Sequence, residues 1–510
     1  MDQVPAFDSV RTWSREDVHQ RKFTFAEQIA FAELSGDYNP LHMDPVAARR
    51  YLFGQPVVHG IHPVFWALNS WLEEKPSAVM FRSLKVSFPQ PIVLEKQVRF
   101  SSASKHPHHI GIELFCGGSV ATRIEAEWDT SGHQNIDCLE RCFPAPRPPR
   151  VLSEDGIEGD SGSLDLYLDI EAAAKLFPHL TRCVSPVQIA VILATTRLVG
   201  VECPGLKSVF SKLDLSATDS YDCRTLSYKV TRLDRRFGLV AMKLTAPGMT
   251  GELKAFIRPA PHEQDSYLSL TGRVHSKEFS RQRALIIGGS RGIGEVTAKL
   301  LAAGGAKVVI TYHRGQKDAR RVVEDIVSNG GVADLSHLDV LNLDRDLAEV
   351  VASDQCFTEL YYFATPLCYS AGGAKAVFSA DLFKEFCDYY VTGFARTVIQ
   401  LRSLGLRNVF YPSTVAIDEL PMNSGEFAAA KMAGETLCSF LEKNDQEMTI
   451  YRPRLPRIAT DQTASVVPVA NQDPVPIMIK HLRSFRDASM ARCRTASELS
   501  VTAGVKNPTI

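Results

Sequence analysis

Apolar positions change rhythm several times along this chain, and each change suggests a boundary. Thr24-Phe-Ala-Glu27 is a capping-box start, and Phe25, Ile29 and Ala32 follow at helical spacing. The pattern predicts a helix that Pro40 ends, because a residue before proline is pushed out of the α region. Asp37 would then sit in the last turn, with His42 just past the break. A second, more apolar helix is predicted from His62 to about Trp71. Strand-like alternation follows at Phe81–Phe88, Gln97–Ser101, Ile110–Phe115 and Ala121–Trp128.

Residues 131–163 lose all rhythm. Pro144-Ala-Pro-Arg-Pro-Pro149 has a stiff linker composition, and Ser153 to Ser163 a flexible one. Beyond them the first pattern returns faintly. Val184-Ser-Pro-Val-Gln-Ile-Ala-Val-Ile lines up with Ile61-His-Pro-Val-Phe-Trp-Ala-Leu, and Leu206–Leu213 with Phe81–Phe88. Strands at Thr225–Val230, Leu239–Leu244 and Glu252–Ile257 complete a second block, to about residue 260. In this block Arg182 stands where His59 does, and no acid or base repeats Asp37 and His42; an unrelated α+β domain is the competing reading.

A third rhythm begins at Arg283-Ala-Leu-Ile-Ile-Gly288-Gly-Ser-Arg291-Gly292-Ile-Gly294. An apolar strand enters a glycine-rich turn and then an amphipathic helix carrying Ile293, Val296, Leu300 and Leu301. A second strand follows at Lys307–Thr311. Such glycines let a pyrophosphate approach a helix N-terminus, where unpaired N–H groups favour anions.

Composition narrows the function classes. The 510 residues carry 57 Lys plus Arg against 58 Asp plus Glu, so no charge excess points to nucleic acid or an anionic membrane surface. Apolar residues make up 45%, enough for full-sized cores. The eleven cysteines are scattered, and Cys138 and Cys142 lack companions for a zinc site, so metal is not expected. No apolar run approaches a membrane span, the N-terminus has no secretory pattern, and a cytoplasmic protein is expected.

The candidate chemistry lies in Leu34-Ser-Gly-Asp37-Tyr-Asn39-Pro40-Leu-His42, followed by Val58-His59-Gly60. A carboxylate and an imidazole held around one water make a plausible acid/base pair. This stretch resembles the MaoC-like (R)-specific enoyl-thioester hydratases through Phe31, Ser35, Gly36, Asp37, Asn39, Pro40, His42, His59 and Gly60. The resemblance implies a hot-dog fold, a long helix wrapped by a curved antiparallel sheet. It implies that Asp37 and His42 hold the water added to an enoyl thioester, and that Gly60 offers its N–H to the thioester oxygen. The second block would be a non-catalytic hot dog that completes the sheet and shapes the acyl tunnel.

The third segment resembles the short-chain dehydrogenase/reductases over residues 281–510. That family's cofactor positions fall on Gly288, Ser290, Arg291, Gly292, Ile293 and Gly294, then on Asp339 and Val340 at the adenine side. His313 and Arg314 after the second strand, with Arg291, suit NADP(H) through its 2′-phosphate. The catalytic elements depart from the family. Phe363-Ala-Thr-Pro366 replaces Asn-Asn-Ala-Gly, Tyr390 stands in for Asn, and the catalytic serine falls at Ser413 or Thr414. The Tyr-x-x-x-Lys pair reads Phe427-Ala-Ala-Ala-Lys431, with no tyrosine hydroxyl to move a proton, although Lys431 can still bind the nicotinamide ribose.

Two readings stay open for this segment: NADP(H) binding without reduction, or reduction with Tyr390, then Tyr411, as substitute acid. Arg452, Arg454 and Arg457 suggest either a phosphate contact or a solvated basic loop. The expected architecture is α+β tandem hot-dog domains followed by an α/β Rossmann-type doubly wound domain. Its segments are 1–135 (catalytic hot dog), 136–163 (linker), 164–265 (second hot dog) and 281–510 (NADP-binding). The expected function is hydration of a 2-enoyl thioester or dehydration of a 3-hydroxyacyl thioester, on CoA or an acyl-carrier protein. A non-catalytic binding scaffold and a fully bifunctional reductase plus dehydratase are the alternatives. Sheet-edge pairing makes a homodimer reasonable by family analogy.

Overall fold

The capping box forms as the spacing predicts. Thr24 Oγ1 accepts from the Glu27 N–H at 3.2 Å, and Glu27 accepts from the Thr24 N–H at 2.8 Å. The helix it starts, Phe25–Ser35, departs from expectation at its face and its end. Ile29 is 39% exposed, whereas Gln28, Phe31, Ala32, Leu34 and Ser35 are buried. Gln28 is drawn inward because its Nε2 donates to the Val57 carbonyl at 2.8 Å, a polar anchor that apolar periodicity does not register. The helix ends before Pro40. Gly36, at φ 74°, takes the left-handed position and closes the last turn onto the Ala32 carbonyl. Pro40 instead opens a short helix, Pro40–Met43, at the position where a missing N–H costs nothing. Asp37 therefore lies outside the first helix, and His42 inside the second.

The structure is a computed structural model that describes residues 19–73, 78–130, 146–221, 224–352, 356–368, 378–465 and 469–503. The start of the first predicted segment, the Cys138–Cys142 pair, linker residues 136–145 and the last seven residues lie outside this set. The chain divides near residue 260 into two compact units.

The first unit is built on one ten-stranded sheet. Its strands are β1 (Gln20–Lys22), β2 (Met80–Ser87), β3 (Gln97–Ala103), β4 (His109–Cys116), β5 (Ser119–Asp129), β6 (Ser161–Asp165), β7 (Ser208–Ala217), β8 (Thr225–Asp234), β9 (Leu239–Ala246) and β10 (Met249–Ile257). The order β1-β3-β4-β5-β2-β7-β10-β9-β8-β6 mirrors itself about the antiparallel β2–β7 pair. An apolar helix precedes each central strand: Ile61–Leu72 before β2, and Pro186–Arg197 before β7. One apolar core runs through both halves, joining Val64, Phe65 and Leu68 with Ile189, Ile192 and Leu193. The Ser153–Ser163 stretch, flexible by composition, holds a short helix, Glu154–Ile157, and the edge strand β6. There the open edge of β8 imposes an extended backbone that local composition does not announce.

The second unit carries a parallel six-stranded sheet and a short parallel pair. Its strands are β11 (Arg283–Ile287), β12 (Lys307–Tyr312), β13 (Val332–His337), β14 (Glu359–Tyr362), β15 (Asn408–Phe410), β16 (Ser413–Thr414), β17 (Thr449–Tyr451) and β18 (Arg454–Leu455). The order β13-β12-β11-β14-β15-β17 reverses direction between β11 and β14, where doubly wound sheets bind ligands. Successive β11 residues enter opposite cores, Ala284 and Ile286 one, Leu285 and Ile287 the other, as a sheet covered on both faces requires.

Register is irregular between Phe81 and Ser83, and pairing of β2 with β7 begins only at Ser83. The buried Gln188 completes the missing ladder, accepting from the Phe81 N–H at 3.0 Å and donating to its carbonyl at 2.9 Å. Gln188→Leu strands two backbone groups away from water and is expected to cost about 2–4 kcal/mol in urea unfolding. An unchanged midpoint would show that water replaces the amide.

Candidate active site

Three loops of the first half and one turn of the second converge on Asp37. The carboxylate is 1% exposed. Its Oδ1 accepts from the Asn39 N–H at 3.1 Å, and its Oδ2 from the Thr196 hydroxyl at 2.9 Å. Thr196 belongs to the Pro186–Arg197 helix of the second half, which runs into a π turn, Leu198–Glu202. That turn brings the Gly200 backbone against the carboxylate so closely that a Cβ would collide with it. Asn39 Nδ2 fastens the arrangement by donating to the Gly200 carbonyl at 2.9 Å.

His42 and His59 stack at 4.1 Å between centroids. His42 donates Nδ1–H to the Val57 carbonyl at 2.8 Å, leaving Nε2 as its unbound nitrogen. His59 donates Nε2–H to the Asp37 carbonyl, also at 2.8 Å, and its buried Nδ1 has no partner. One donor atom from each of Asp37, His42 and His59 falls within a 4.8 Å cluster, the only one of metal-ligand type among the described residues. Rings stacked 29° from parallel aim their lone pairs side by side rather than at one point, so the cluster suits a shared water better than an ion.

Gly60 stands at the N-terminus of the Ile61–Leu72 helix without a side-chain cap. A Cβ on it would press on Phe88 at 3.3 Å and touch Phe210 at 3.7 Å, so two aromatic rings, one from each half, stand beside it.

Burial governs the protonation of this cluster. It pushes the Asp37 carboxyl up from the usual range, against His42 and the hydrogen bonds from Asn39 and Thr196. It pushes His42 down, against the Asp37 carboxylate, with the Arg258 guanidinium adding to the lowering. His59 falls well below its ordinary value, again chiefly through burial.

Asp37 and His42 lie together with His59, and Gly60 follows His59 at the start of its helix. Thr196 and Gly200 carry no signal of their own, since the faint repeat aligns their helix but not their roles. Arg182, opposite His59 in the repeat, turns away to the carbonyls of Leu72 and Glu73.

In the second unit, Gly288 and Ser290 lie in the turn between β11 and the Gly292–Ala303 helix, and Gly292, Ile293 and Gly294 are the first residues of that helix. Gly288, at φ 80°, would place a Cβ 2.9 Å from the Phe363 carbonyl, and one on Gly294 would strike the Gly288 carbonyl. The turn is open to a close-lying phosphate, and the helix start has no side-chain cap. These features fit a dinucleotide. Arg291, expected at the 2′-phosphate, has its guanidinium 3.8 Å from the Asp461 carboxylate. His313 lies 3.7 Å from Asp339, and both line an open cleft of about 580 Å³ with His337, Asp346 and Arg396. Arg314 is exposed and is not among the cleft's lining residues. Val340, next to Asp339 in sequence, is buried.

The expected reductase residues are each engaged by other protein groups. The Ser413 hydroxyl donates to Glu435, which Arg454 also holds. Thr414 Oγ1 accepts from the Ala416 N–H. Phe427 packs edge-on against Phe386 and Tyr390. Burial lowers the Lys431 ammonium to about 8; it donates to the Pro412 carbonyl at 2.7 Å and sits 3.8 Å over the Tyr390 ring. The Tyr390 hydroxyl bonds Thr365 and Cys368, and Tyr411 donates to the Tyr390 carbonyl. The arginine cluster is neither loose nor available. Arg452 pairs with Glu442, Arg454 with Asp418 and Glu435, and Arg457 bonds Asn471 and the Thr463 carbonyl.

Two family models match the chain, the MaoC like domain over residues 12–111 and the short chain dehydrogenase over residues 282–382. An (R)-specific enoyl-CoA hydratase of Aeromonas caviae is 51% identical over 114 residues, covering 21% of this chain and 85% of the hydratase. A probable tetrahydroxynaphthalene reductase of Zymoseptoria tritici is 38% identical over 214 residues, 39% of this chain and 76% of the reductase. A 3-oxoacyl-(acyl-carrier-protein) reductase of Synechocystis is 48% identical over 67 residues, 13% of this chain and only 27% of that protein.

The buried imidazoles make the first unit sensitive to acid. His62, stacked on Phe31, is brought down to about 3 by burial, and His42 and His59 shift the same way. With folded values below the ordinary 6.5, the unfolded chain takes up protons first as pH falls. Stability is therefore full above pH 6.5 and lost on acidification toward about 3. His62→Phe is expected to reduce that slope by about 1.4 kcal/mol per pH unit between pH 6 and 4, read from urea midpoints. An unaltered slope would place the proton uptake elsewhere.

Proposed function

We propose, from the premise that this chain belongs to the MaoC-like family through its N-terminal part and to the short-chain dehydrogenase family through its C-terminal part, that it hydrates 2-enoyl thioesters or dehydrates 3-hydroxyacyl thioesters. The observation that carries this reading is the Asp37–His42 pair, the carboxylate buried and the imidazole half-buried, with donor atoms within 4.8 Å and one free nitrogen on His42. Water bound between them loses a proton to Asp37 as its oxygen bonds Cβ. Electron density moves through Cα to the thioester oxygen, which the Gly60 N–H stabilises at the positive end of its helix. Cα then receives a proton from the Asp37–His42 pair, so the enzyme ends as it began, and dehydration is the reverse.

The two halves of the first unit are read as tandem hot dogs, the second non-catalytic in its own right. Its contribution is to supply Thr196, which orients the carboxylate, and Phe210, which stands beside Gly60. The substrate is read as an acyl-CoA or acyl-carrier-protein thioester, and the setting as cytoplasmic.

The second unit is read as an NADP(H)-binding domain that does not reduce by the family's usual route. Its glycine turn would take the pyrophosphate, Asp339 and His313 the adenosine end, and Lys431 the nicotinamide ribose. NADP(H) supplies or accepts a hydride when bound. The proton that must accompany it has no evident donor, because Phe427 lacks a hydroxyl and Ser413 spends its own on Glu435. The bifunctional reading is favoured by one contact, the bond between the buried Tyr390 hydroxyl and the exposed Thr365, a path by which a proton could leave the core.

Loss of enoyl absorbance, followed with trans-2-enoyl-CoA thioesters of several lengths, tests the first unit. Asp37→Asn should lower the rate by about 100-fold or more, and Thr196→Val by a smaller factor near 10. An Asp37→Asn variant as fast as wild type would end the hydratase reading. In a parallel cuvette NADPH with 3-ketoacyl-CoA should stay unoxidised while binding is retained. NADPH consumption lost in Tyr390→Phe would instead establish the bifunctional enzyme, and silence from both units with binding intact would favour a scaffold.

A further inference from the structure

Arg258, directly after β10, is 1% exposed, and no carboxylate among the described residues lies within ion-pair distance of it. Its Nη2 donates to the Leu206 carbonyl, and its Nε, also buried, has no hydrogen-bond partner among the described residues. Its guanidinium carbon stands 3.6 Å over the ring of Tyr51, in the segment that joins His42 to His59. Leu206 shares its carbonyl between Arg258 and Asn39 Nδ2, whose own backbone N–H caps Asp37. A permanent cation is thus linked to Asp37 through two hydrogen-bonded residues, Leu206 and Asn39, with a donor unspent.

A structural explanation accounts for part of this. Arg258 ties the end of β10 to the Leu206 turn and props Tyr51. Tyr51 offsets part of the cost of burying this charge, through its ring face and a side-chain hydrogen bond, but no anion among the described residues offsets the rest. Burial indeed pushes the Arg258 guanidinium down from its ordinary value. The unfilled requirement is an anion, and the fork geometry of guanidinium suits a carboxylate or phosphate.

We propose that Arg258 binds an oxyanion carried by the thioester substrate, either a carboxylate on the acyl group or a phosphate on the pantetheine arm. This rests on the hydratase reading of the same site. Arg258 is a specificity determinant here, and takes no proton in the reaction. Its fork holds the anion while the Asp37–His42 pair acts on the double bond, so that an anionic substrate is positioned and a neutral one is merely admitted.

The test compares substrates within one protein, so that general damage cancels. Four trans-2-enoyl thioesters are used: a neutral acyl and an acyl ending in a carboxylate, each on pantetheine and on CoA. In wild type, kcat/KM for at least one anionic member should exceed its neutral counterpart by about 10-fold or more, and Arg258→Met should bring that ratio close to 1. Loss in the carboxylate comparison assigns the acyl group, and loss in the CoA comparison assigns the phosphate. Arg258→Lys, which keeps the charge but not the fork, should fall between, and stands in should the methionine variant fail to fold. Ratios unchanged by either variant overturn the proposal, as does a wild type indifferent to both anions. Saturated analogues of the same four thioesters are titrated by calorimetry in parallel. If wild type hydrates nothing yet binds the anionic analogues through Arg258, the hydratase reading falls and the anion site stands.

Discussion

A carboxylate shut away from water must find donors inside the protein, and the arrangement of the first unit follows from where Asp37 finds them. Asn39 supplies one from the same loop, and Thr196 supplies the other from the opposite half of the sheet. Once the second donor comes from there, the halves must meet closely enough for Gly200 to touch the carboxylate, and the helix carrying Thr196 must widen into a π turn to bring it near. A π turn interrupts regular helix bonding and often marks a functional position. Here it sets Gly200, which has no side chain, against a buried acid.

The same dependence explains why the sheet is continuous. Asn39 bonds Gly200, Gln188 bonds Phe81, and β2 pairs with β7, so three kinds of polar contact cross one apolar core. Each is directional, and together they set the register of the halves to the tolerance that a hydrogen bond of about 2.9 Å demands. Apolar contact between the two central helices adds burial but little direction.

What the sequence made legible was local. Glycine turns, capping boxes and proline effects depend on residues a few positions apart, so the Thr24 cap, the Gly288–Gly294 turn and the order of strands could be read directly. The Asp37–His42 pair belongs to the same class. The helix end was misassigned because Gly36 and Pro40 are both plausible stops, and only the backbone at Gly36 decides between them. Thr196, Gly200 and Arg258 were invisible because their significance depends on residues more than 150 positions away. In the second unit the substitution at Phe427 was plain in sequence, but the diversion of Ser413 to Glu435 was not, since it depends on where Arg454 places that carboxylate.

The mirrored strand order has a consequence of its own. Were the two halves identical chains assembled about the β2–β7 seam, each substitution would appear twice, once where it helps and once at the mirror position. Joined in one polypeptide, they are released from that constraint. One half can keep an acid, a base and a helix start while the other gives them up for a hydroxyl, a bare glycine and a buried guanidinium. On the proposed reading the chain trades a second reaction centre for asymmetry around the first.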